Sequence, residues 1–201
     1  MKLASHNTVT YLPIKQWYLR PFTFMARCQS RSYIMQYKLG ARFFDIRVRF
    51  DKNGKPYCAH GLAAYDINPS RIIGKLEKRA FMDDEEIYIR LLLESTSKRN
   101  ADFQERCFKN FCERMERLYS FPHFFSTNII FCGGQTKRDW HTVYDFKNPL
   151  PPIVELYASA PKQRNPLWKI CPYLYRKYIT RKLETSELAT RKDLLLMIDF
   201  I

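Results

Sequence analysis

The residues best suited to chemistry lie in one stretch, residues 39–61, which reads LGARFFDIRVRFDKNGKPYCAHG. Within it, Asp45 and Arg47 lie on a segment in which apolar and charged residues alternate, which predicts a strand with one apolar and one charged face. A turn signal follows at Asp51–Gly54, and a short return strand then leads to His60. Because buried charges are costly unless paired, this set predicts either a functional site or an ion pair on a solvent-exposed strand face.

Other polar residues are expected at or near the ends of apolar strands. His6 lies in a polar cluster near the N-terminus, a position that in most chains belongs to a frayed tail. Three later segments are apolar enough to be buried strands and carry acidic or aromatic residues. These segments are 86–94 with Glu94, 152–158 with Glu155 and Tyr157, and 194–201 with Asp199.

The predicted strands alternate with helical segments, which indicates an α/β fold with a parallel sheet. In such folds functional residues gather at the C-terminal ends of the strands. Two histidines, an arginine and several carboxylates in those places indicate acid–base chemistry at a phosphoryl centre. The predicted helices are residues 29–38, 68–79, 101–119 and part of 165–182.

Length and composition predict a single globular domain, residues 1–201. The 46% hydrophobic and 15% aromatic content favours a folded globule over a disordered chain. A net charge of +14 favours anionic partners, and both phospholipid headgroups and nucleic acid qualify. The six cysteines have neither zinc-type spacing nor the density of a disulfide scaffold and are expected to be buried thiols.

No secretory leader and no apolar run of about 20 residues is found, so we expect a cytoplasmic or peripheral membrane protein. We also expect a monomer.

Three motifs, in this order, resemble the catalytic X region of phosphatidylinositol-specific phospholipases C. They are SHNT at Ser5–Thr8, LGARFFDIRV at Leu39–Val48 and AHG at Ala59–Gly61, and Gln36 also matches. The match covers about Leu3 to Glu94. The resemblance implies a distorted TIM (β/α) barrel, trimmed or irregular because the chain is short and has only six or seven candidate strands. It also implies cleavage of a phosphoinositide-type phosphodiester through a cyclic phosphate.

The resemblance also implies roles for individual residues. His6 would be the general base for the inositol 2-hydroxyl, and His60 the general acid for the departing diacylglycerol oxygen. Asp199 would orient and charge His6, because a nearby carboxylate raises the pKa of a histidine. Asp45 and Arg47 would complete the catalytic set.

Arg47 also bears on the question of a metal. Metal-independent members of the family have an arginine at this position, which contacts the phosphate, whereas calcium-dependent members have an aspartate. We therefore expect no cofactor. The alternative is a calcium site formed by Asn7, Asp45 and Glu94.

Four residues are expected to bind substrate, and one expected group is missing. The inositol-binding lysine of the family is Leu92 here, which bears on headgroup specificity. The residues expected to bind substrate are Asn7, Glu94, Glu155 and Tyr157.

Two other functions remain open at this point. One is a metal-dependent hydrolase of the glycerophosphodiester or sphingomyelinase D-like type. The other is a non-enzymatic basic barrel that binds nucleic acid or anionic membrane. Two aromatic and basic stretches, Trp17–Phe24 and Trp168–Tyr178, are either membrane-docking surfaces or core aromatics beside a solvated helix.

Overall fold

The structure is a computed structural model, and it describes residues 2–94, 100–120, 128–133, 141–155, 172–184, 195–199 and 201. The described part of the chain is a mixed α/β fold built on one nine-stranded sheet. The strands are β1 (Lys2–Ser5), β2 (Ala41–Phe50), β3 (Pro56–His60), β4 (Ala63–Tyr65), β5 (Ile87–Glu94), β6 (Ile129–Phe131), β7 (His141–Val143), β8 (Ile153–Glu155) and β9 (Leu195–Ile198). The helices are α1 (Thr23–Ala26), α2 (Tyr33–Lys38), α3 (Pro69–Met82), α4 (Ala101–Ser120) and α5 (Pro172–Glu184), with a 3-10 helix at Trp17–Phe22.

Six strands of the sheet are parallel and lie in the order β8, β9, β1, β2, β5, β6. Strand β3 pairs antiparallel with β2 and continues to β4, and β7 pairs antiparallel with the end of β5. Within the described residues no strand pairing joins β6 to β8, so the sheet is not closed into a full barrel. The predicted α/β fold with a trimmed, irregular barrel is confirmed.

Strand β2 is the centre of the sheet and is buried on both of its faces. Its apolar side chains, such as Phe44 and Ile46, belong to one hydrophobic cluster with Ile72 of α3 and Phe108 of α4. Fully burying a side chain of this size contributes about 1.5–3 kcal/mol. The other face of β2 carries the charged residues, which therefore point into the interior of the sheet.

Local signals set the ends of the helices. The side chain of Ser32 accepts a hydrogen bond from the backbone N–H of Met35, so α2 begins later than the predicted Gln29. Gly40 follows α2 with a φ of +99°, a conformation that glycine adopts at little cost. Asn68 caps α3, as the sequence predicts.

The N-terminal polar cluster is not a frayed tail. Strand β1 lies between β2 and β9, with Leu3 paired to Ala41 on one side and to Leu196 on the other. His6 follows β1 directly and is buried. In the described part of the chain, none of the helices has the length and apolar character needed to cross a bilayer.

Candidate active site

Adjacent parallel strands bring the candidate residues to one end of the sheet. His6 follows β1 and Asp199 follows β9, while Glu94 is the last residue of β5. Asp45 and Arg47 lie on β2, directly between β1 and β5. The C-terminal ends of parallel strands therefore form the site, as expected for an α/β fold.

His6 and Asp199 form a buried pair. The Nδ1 atom of His6 lies 2.6 Å from Oδ1 of Asp199, and the two residues are 1% and 0% exposed. A carboxylate beside Nδ1 keeps the proton on that nitrogen, so Nε2 is left as a hydrogen-bond acceptor. The pair is thus oriented with Nε2 facing the interior of the site.

The backbone around this pair is held by two side chains. The Gln29 amide donates to the carbonyls of His6 and Ile198, at 3.0 and 3.1 Å. The hydroxyl oxygen of Tyr175 accepts a hydrogen bond of 3.0 Å from the backbone N–H of Asp199. The ends of β1 and β9 are thereby fixed relative to each other.

Arg47 lies between His6 and two carboxylates. Its Nη2 is 3.1 Å from Nε2 of His6, and its Nη1 donates to Oε2 of Glu94 at 3.1 Å. Its Nε is 3.6 Å from Oδ2 of Asp45. Burial lowers the pKa of the guanidinium, but Asp45 and Glu94 together raise it above its usual value. Arg47 is therefore a fixed positive charge beside the imidazole.

Asp45 joins the site to a second buried arginine. Its Oδ1 lies 3.5 Å from Nε of Arg90 on β5, and its Oδ2 accepts the backbone N–H of Asn7 at 3.4 Å. Burial raises the pKa of Asp45, but Arg90 and then Arg47 lower it, and the net pKa lies below the usual value. Asp45 is therefore ionised and balances buried positive charge.

Asn7 adopts a left-handed conformation with a φ of +48°, which asparagine tolerates better than most residues. Its Nδ2 lies 3.2 Å from Nε2 of His6 and 3.5 Å from Sγ of Cys28. The side-chain oxygen of Thr10 accepts the backbone N–H groups of Cys28 and Gln29, each at 2.9 Å. These bonds fix the segment that contains Cys28 against the end of β1.

His60 ends β3 and is held by backbone partners. Its Nδ1 donates to the carbonyl of Ala26 at 2.9 Å. The next residue, Gly61, donates its N–H to Oε1 of Glu94 at 2.8 Å, and Nη2 of Arg49 donates to the Gly61 carbonyl at 2.5 Å. Because Glu94 also bonds Arg47, the His60 segment is tied to the guanidinium through a single carboxylate.

Comparisons with known proteins were made by sequence and by structure. No protein-family model matches the sequence, and a search of curated proteins finds no significant match. The fold is similar to a single-site mutant of the phosphatidylinositol-specific phospholipase C from Staphylococcus aureus. That match has a TM-score of 0.60 and 15% identity, and covers 99% of this chain and 84% of that one. A pentafluoro-Phe form of the same enzyme matches with a TM-score of 0.54 and 15% identity, over 99% of this chain and 85% of that one.

The chain has the phosphatidylinositol-specific phospholipase C fold. The resemblance carried by the three sequence motifs is thus confirmed at the level of the fold.

Most of the predicted residues meet within this phospholipase C fold. His6, Asn7, Asp45, Arg47 and Glu94 are linked by direct contacts, Asp199 contacts His6, and His60 joins them through its neighbour Gly61. The alternative of an ion pair on a solvent-exposed strand face is wrong, because Arg47 is 6% exposed and Asp45 0%.

The structure describes two of the three remaining positions that bear on substrate binding, Glu155 and Leu92, but not Tyr157. Glu155 is the last residue of β8, paired with Met197 of β9, and its backbone lies at the same end of the sheet. Tyr157 lies outside the described residues. Leu92 is buried and paired in register with Arg47, so an apolar side chain lies where the resemblance implies a lysine.

Several site residues were not predicted from the sequence. Arg49 could have been found, because it lies two residues from Arg47 on the same face of a predicted strand. Arg90 could not, because its contact with Asp45 depends on the register in which β2 and β5 pair. Cys28, Gln29 and Tyr175 gave no local signal, since they reach the site through contacts between segments far apart in the sequence.

The buried cysteines are as expected where the structure describes them. Cys28, Cys58, Cys112 and Cys132 are buried thiols, and Cys107 is partly buried. Burial raises the pKa of the Cys132 thiol to about 11. Cys171 lies outside the described residues.

Proposed function

We propose that this protein is a phosphodiesterase of the phospholipase C type, acting on a phosphoinositide or a related phosphodiester. The observation that carries the proposal is the buried His6–Asp199 pair, whose second ring nitrogen faces the Arg47 guanidinium at 3.1 Å. A binding protein has no need of an imidazole held in one tautomer beside a fixed positive charge, whereas general base catalysis at phosphorus needs both.

In the first step, Nε2 of His6 takes the proton of the inositol 2-hydroxyl. This hydroxyl replaces the Asn7 and Arg47 side-chain nitrogens that face Nε2 in the present structure. The hydroxyl oxygen bonds to phosphorus as the bond from phosphorus to the diacylglycerol oxygen breaks. His60 gives a proton to that leaving oxygen. The imidazolium formed on His6 is stabilised by Asp199.

In the second step the two histidines exchange roles. His60 takes a proton from water, the water oxygen bonds to phosphorus, and the cyclic phosphate opens. His6 returns its proton to the inositol oxygen, so the enzyme ends in its starting state.

Arg47 is proposed to hold the phosphate oxygens, without a metal. The Asp45 and Glu94 carboxylates of the alternative calcium site already face the Arg47 guanidinium, at 3.6 and 3.1 Å. A calcium ion there would be repelled by the guanidinium, and both carboxylates that could bind it are already paired with Arg47. These residues therefore do not suit a calcium site. Both oxygens of Glu94 bond to protein groups, which favours a positioning role over substrate contact.

An exposed apolar segment beside the site supports action at a membrane surface. Trp17, Phe22 and Met25 are 76%, 55% and 60% exposed, which rules out core packing as their role. Ala26, directly after this segment, accepts the hydrogen bond of His60. Aromatic side chains beside basic residues suit the interface of an anionic bilayer.

The catalytic proposal is tested by release of inositol phosphate from phosphatidylinositol vesicles, with calcium and with a chelator. We expect activity that survives chelation and is lost in H6A, while R79A, a change on the exposed face of α3, keeps it. Activity only with an added metal would instead support a metal-dependent hydrolase. No activity from folded protein, together with steeply salt-dependent nucleic-acid binding, would support the basic binding protein.

The membrane proposal has its own measurement. Binding to vesicles containing anionic lipid is expected to weaken about tenfold in W17A, because a desolvated aromatic side chain contributes about 1–3 kcal/mol. Hydrolysis of a short-chain, monomeric substrate should stay unchanged. Equal binding by W17A and wild type would contradict the docking role.

A further inference from the structure

A thiol, an imidazole and a carboxylate lie together at the buried end of β1. One ligand atom from each of His6, Cys28 and Asp199 lies within 4.8 Å of the other two. All three side chains are buried, and they come from three separate segments of the chain. The proposed hydrolysis uses His6 and Asp199 but has no use for the thiol.

We propose that His6, Cys28 and Asp199 bind zinc or a similar transition-metal ion. Nitrogen, thiolate sulfur and carboxylate oxygen are the ligands that zinc takes in proteins. Calcium prefers oxygen ligands alone, so this site differs in chemistry and in residues from the calcium alternative.

The charges around His6 indicate which ring nitrogen binds the ion. Nε2 faces the Arg47 guanidinium at 3.1 Å, which repels a cation. Nδ1 faces the Asp199 carboxylate at 2.6 Å, which attracts one. The metal therefore takes the place of the proton that His6 shares with Asp199.

The spacing suits a tetrahedral ion after a small adjustment. Zinc–ligand bonds of about 2.0–2.3 Å place neighbouring ligand atoms roughly 3.5 Å apart. The present ligand atoms lie within 4.8 Å of one another, and Nδ1 of His6 lies only 2.6 Å from Oδ1 of Asp199. Binding of one ion therefore needs the imidazole and the carboxylate to move apart by on the order of 1 Å while the thiol turns towards them.

Asn7 offers a further buried donor atom. Among the described residues its Oδ1 has no hydrogen-bond partner, although Asn7 is only 2% exposed. The Nδ2 atom of the same amide lies 3.5 Å from Sγ of Cys28. Rotation of the amide that exchanges its nitrogen and oxygen would bring Oδ1 towards the thiol as a fourth ligand.

Metal binding would have two consequences. The thiol proton and the proton shared by His6 and Asp199 would both be released, so affinity would rise with pH. If the proposed function holds, an ion on His6 would also prevent it from accepting a proton in the first step. Zinc would then be an inhibitor rather than a cofactor.

The test uses cobalt(II), which replaces zinc and gives a thiolate-to-metal charge-transfer band in the near ultraviolet. We expect this band in wild type and in C107S, a control for the partly buried thiol, and its loss in C28S. H6Q should weaken binding as well, and added zinc should abolish the band. Neither the absorbance nor the affinity depends on hydrolysis. The binding measurement therefore tests the metal site even if the protein has no phosphodiesterase activity.

A measurement on the unaltered chain covers the case in which a variant misfolds. X-ray absorption at the zinc edge of loaded wild type should show one sulfur ligand, the remainder being nitrogen or oxygen. Absence of the band in wild type, an undiminished band in folded C28S, or a zinc environment without sulfur would overturn the proposal.

Discussion

The two histidines of the candidate site are held by opposite kinds of partner. His6 is 1% exposed, and its Nδ1 lies 2.6 Å from the Asp199 carboxylate. His60 is partly buried, and its Nδ1 donates to the Ala26 carbonyl at 2.9 Å. A carboxylate stabilises the positive charge that forms when an imidazole takes up a proton, whereas a carbonyl orients the ring and adds no charge.

This difference fits an unequal division of work. In the proposed reaction His6, as the base, gains a proton while it is buried, so it needs a negative charge beside it. His60, as the proposed acid, gives up a proton to a leaving group that carries acyl chains, so it is better placed near the exposed segment that follows β1. The two histidines are also positioned by different elements. His6 follows β1, which is paired with parallel strands on both sides. The segment of His60 is held through Gly61, which bonds to Glu94 and Arg49.

Changing the leaving group of the substrate should separate the roles of the two histidines by the largest effect. General acid or base catalysis contributes about 10²–10⁴-fold, so H6A should lower kcat/KM by about 10³ on any substrate with the 2-hydroxyl nucleophile. H60A should be equally slow on phosphatidylinositol but recover on an inositol phosphate ester of 4-nitrophenol, which leaves without a proton. Equal losses of H6A and H60A on both substrates would refute the assigned roles.

Removing the charge of Asp45 is expected to destabilise the fold. D45N leaves two arginines buried beside a neutral amide, and breaking a buried ion pair in this way costs about 3–5 kcal/mol. Burial raises the pKa of Asp45, but Arg90 and then Arg47 bring the net pKa in the folded state below its unfolded value. The stabilisation is therefore present above an unfolded pKa of about 3.9 and is lost as the pH falls through the folded pKa.

Urea unfolding of wild type and D45N at several pH values measures this effect. The difference between them should be constant near neutrality and shrink only below about pH 4. A difference that shrinks towards high pH instead would show that Asp45 is not ionised in the folded protein.

Neutralising Asp199 should affect chemistry more than stability. D199N keeps the size of the side chain but no longer stabilises the imidazolium or imposes the tautomer, so kcat should fall by about 10²-fold. Y175F is the matched control, because it removes the hydroxyl that accepts the Asp199 backbone N–H and leaves the carboxylate of Asp199 in place. It should cost about 1 kcal/mol in unfolding free energy and change kcat little. A larger loss of kcat in Y175F than in D199N would assign Asp199 a structural role.

The sequence predicted the parts of the fold that depend on local pattern. The alternation in β2 and the apolar runs of β5 and β9 predicted strands in the right places, and the motifs placed His6, Arg47 and His60 together. The alternation in β2 could not show whether its charged face is buried or exposed, because burial of that face depends on which other elements cover it. Short strands such as β4 and β7, of three residues each, carry no periodic signal.

The remaining site residues depend on contacts that no local pattern encodes. Arg90 meets Asp45 only because β2 and β5 pair in one particular register. Gln29 reaches the carbonyl of Ile198 across 169 positions of sequence. The aromatic residues of Trp17–Phe24 were compatible with a core, the more usual place for such residues, or with a surface, and their exposure is fixed only by the packing of the whole fold.

Arg49 gives the smallest and most selective of the expected effects. Its Nη2 and Nε donate to the carbonyls of Gly61 and Glu94, so R49M would leave two backbone acceptors without this donor. A loss of about 1–3 kcal/mol in unfolding free energy is expected. Because the bonds support the His60 segment and not His6, kcat on phosphatidylinositol should fall about tenfold while the 4-nitrophenyl ester is cleaved normally.

R42M is the matched control for this change. Arg42 lies at the other end of the same strand and also donates to two backbone carbonyls, those of Tyr37 and Ala41. It should lose similar stability and keep its activity on both substrates, since it contacts neither histidine. If R42M and R49M lowered kcat alike, the effect would come from a general weakening of β2, and His60 would not depend on Arg49 for its position.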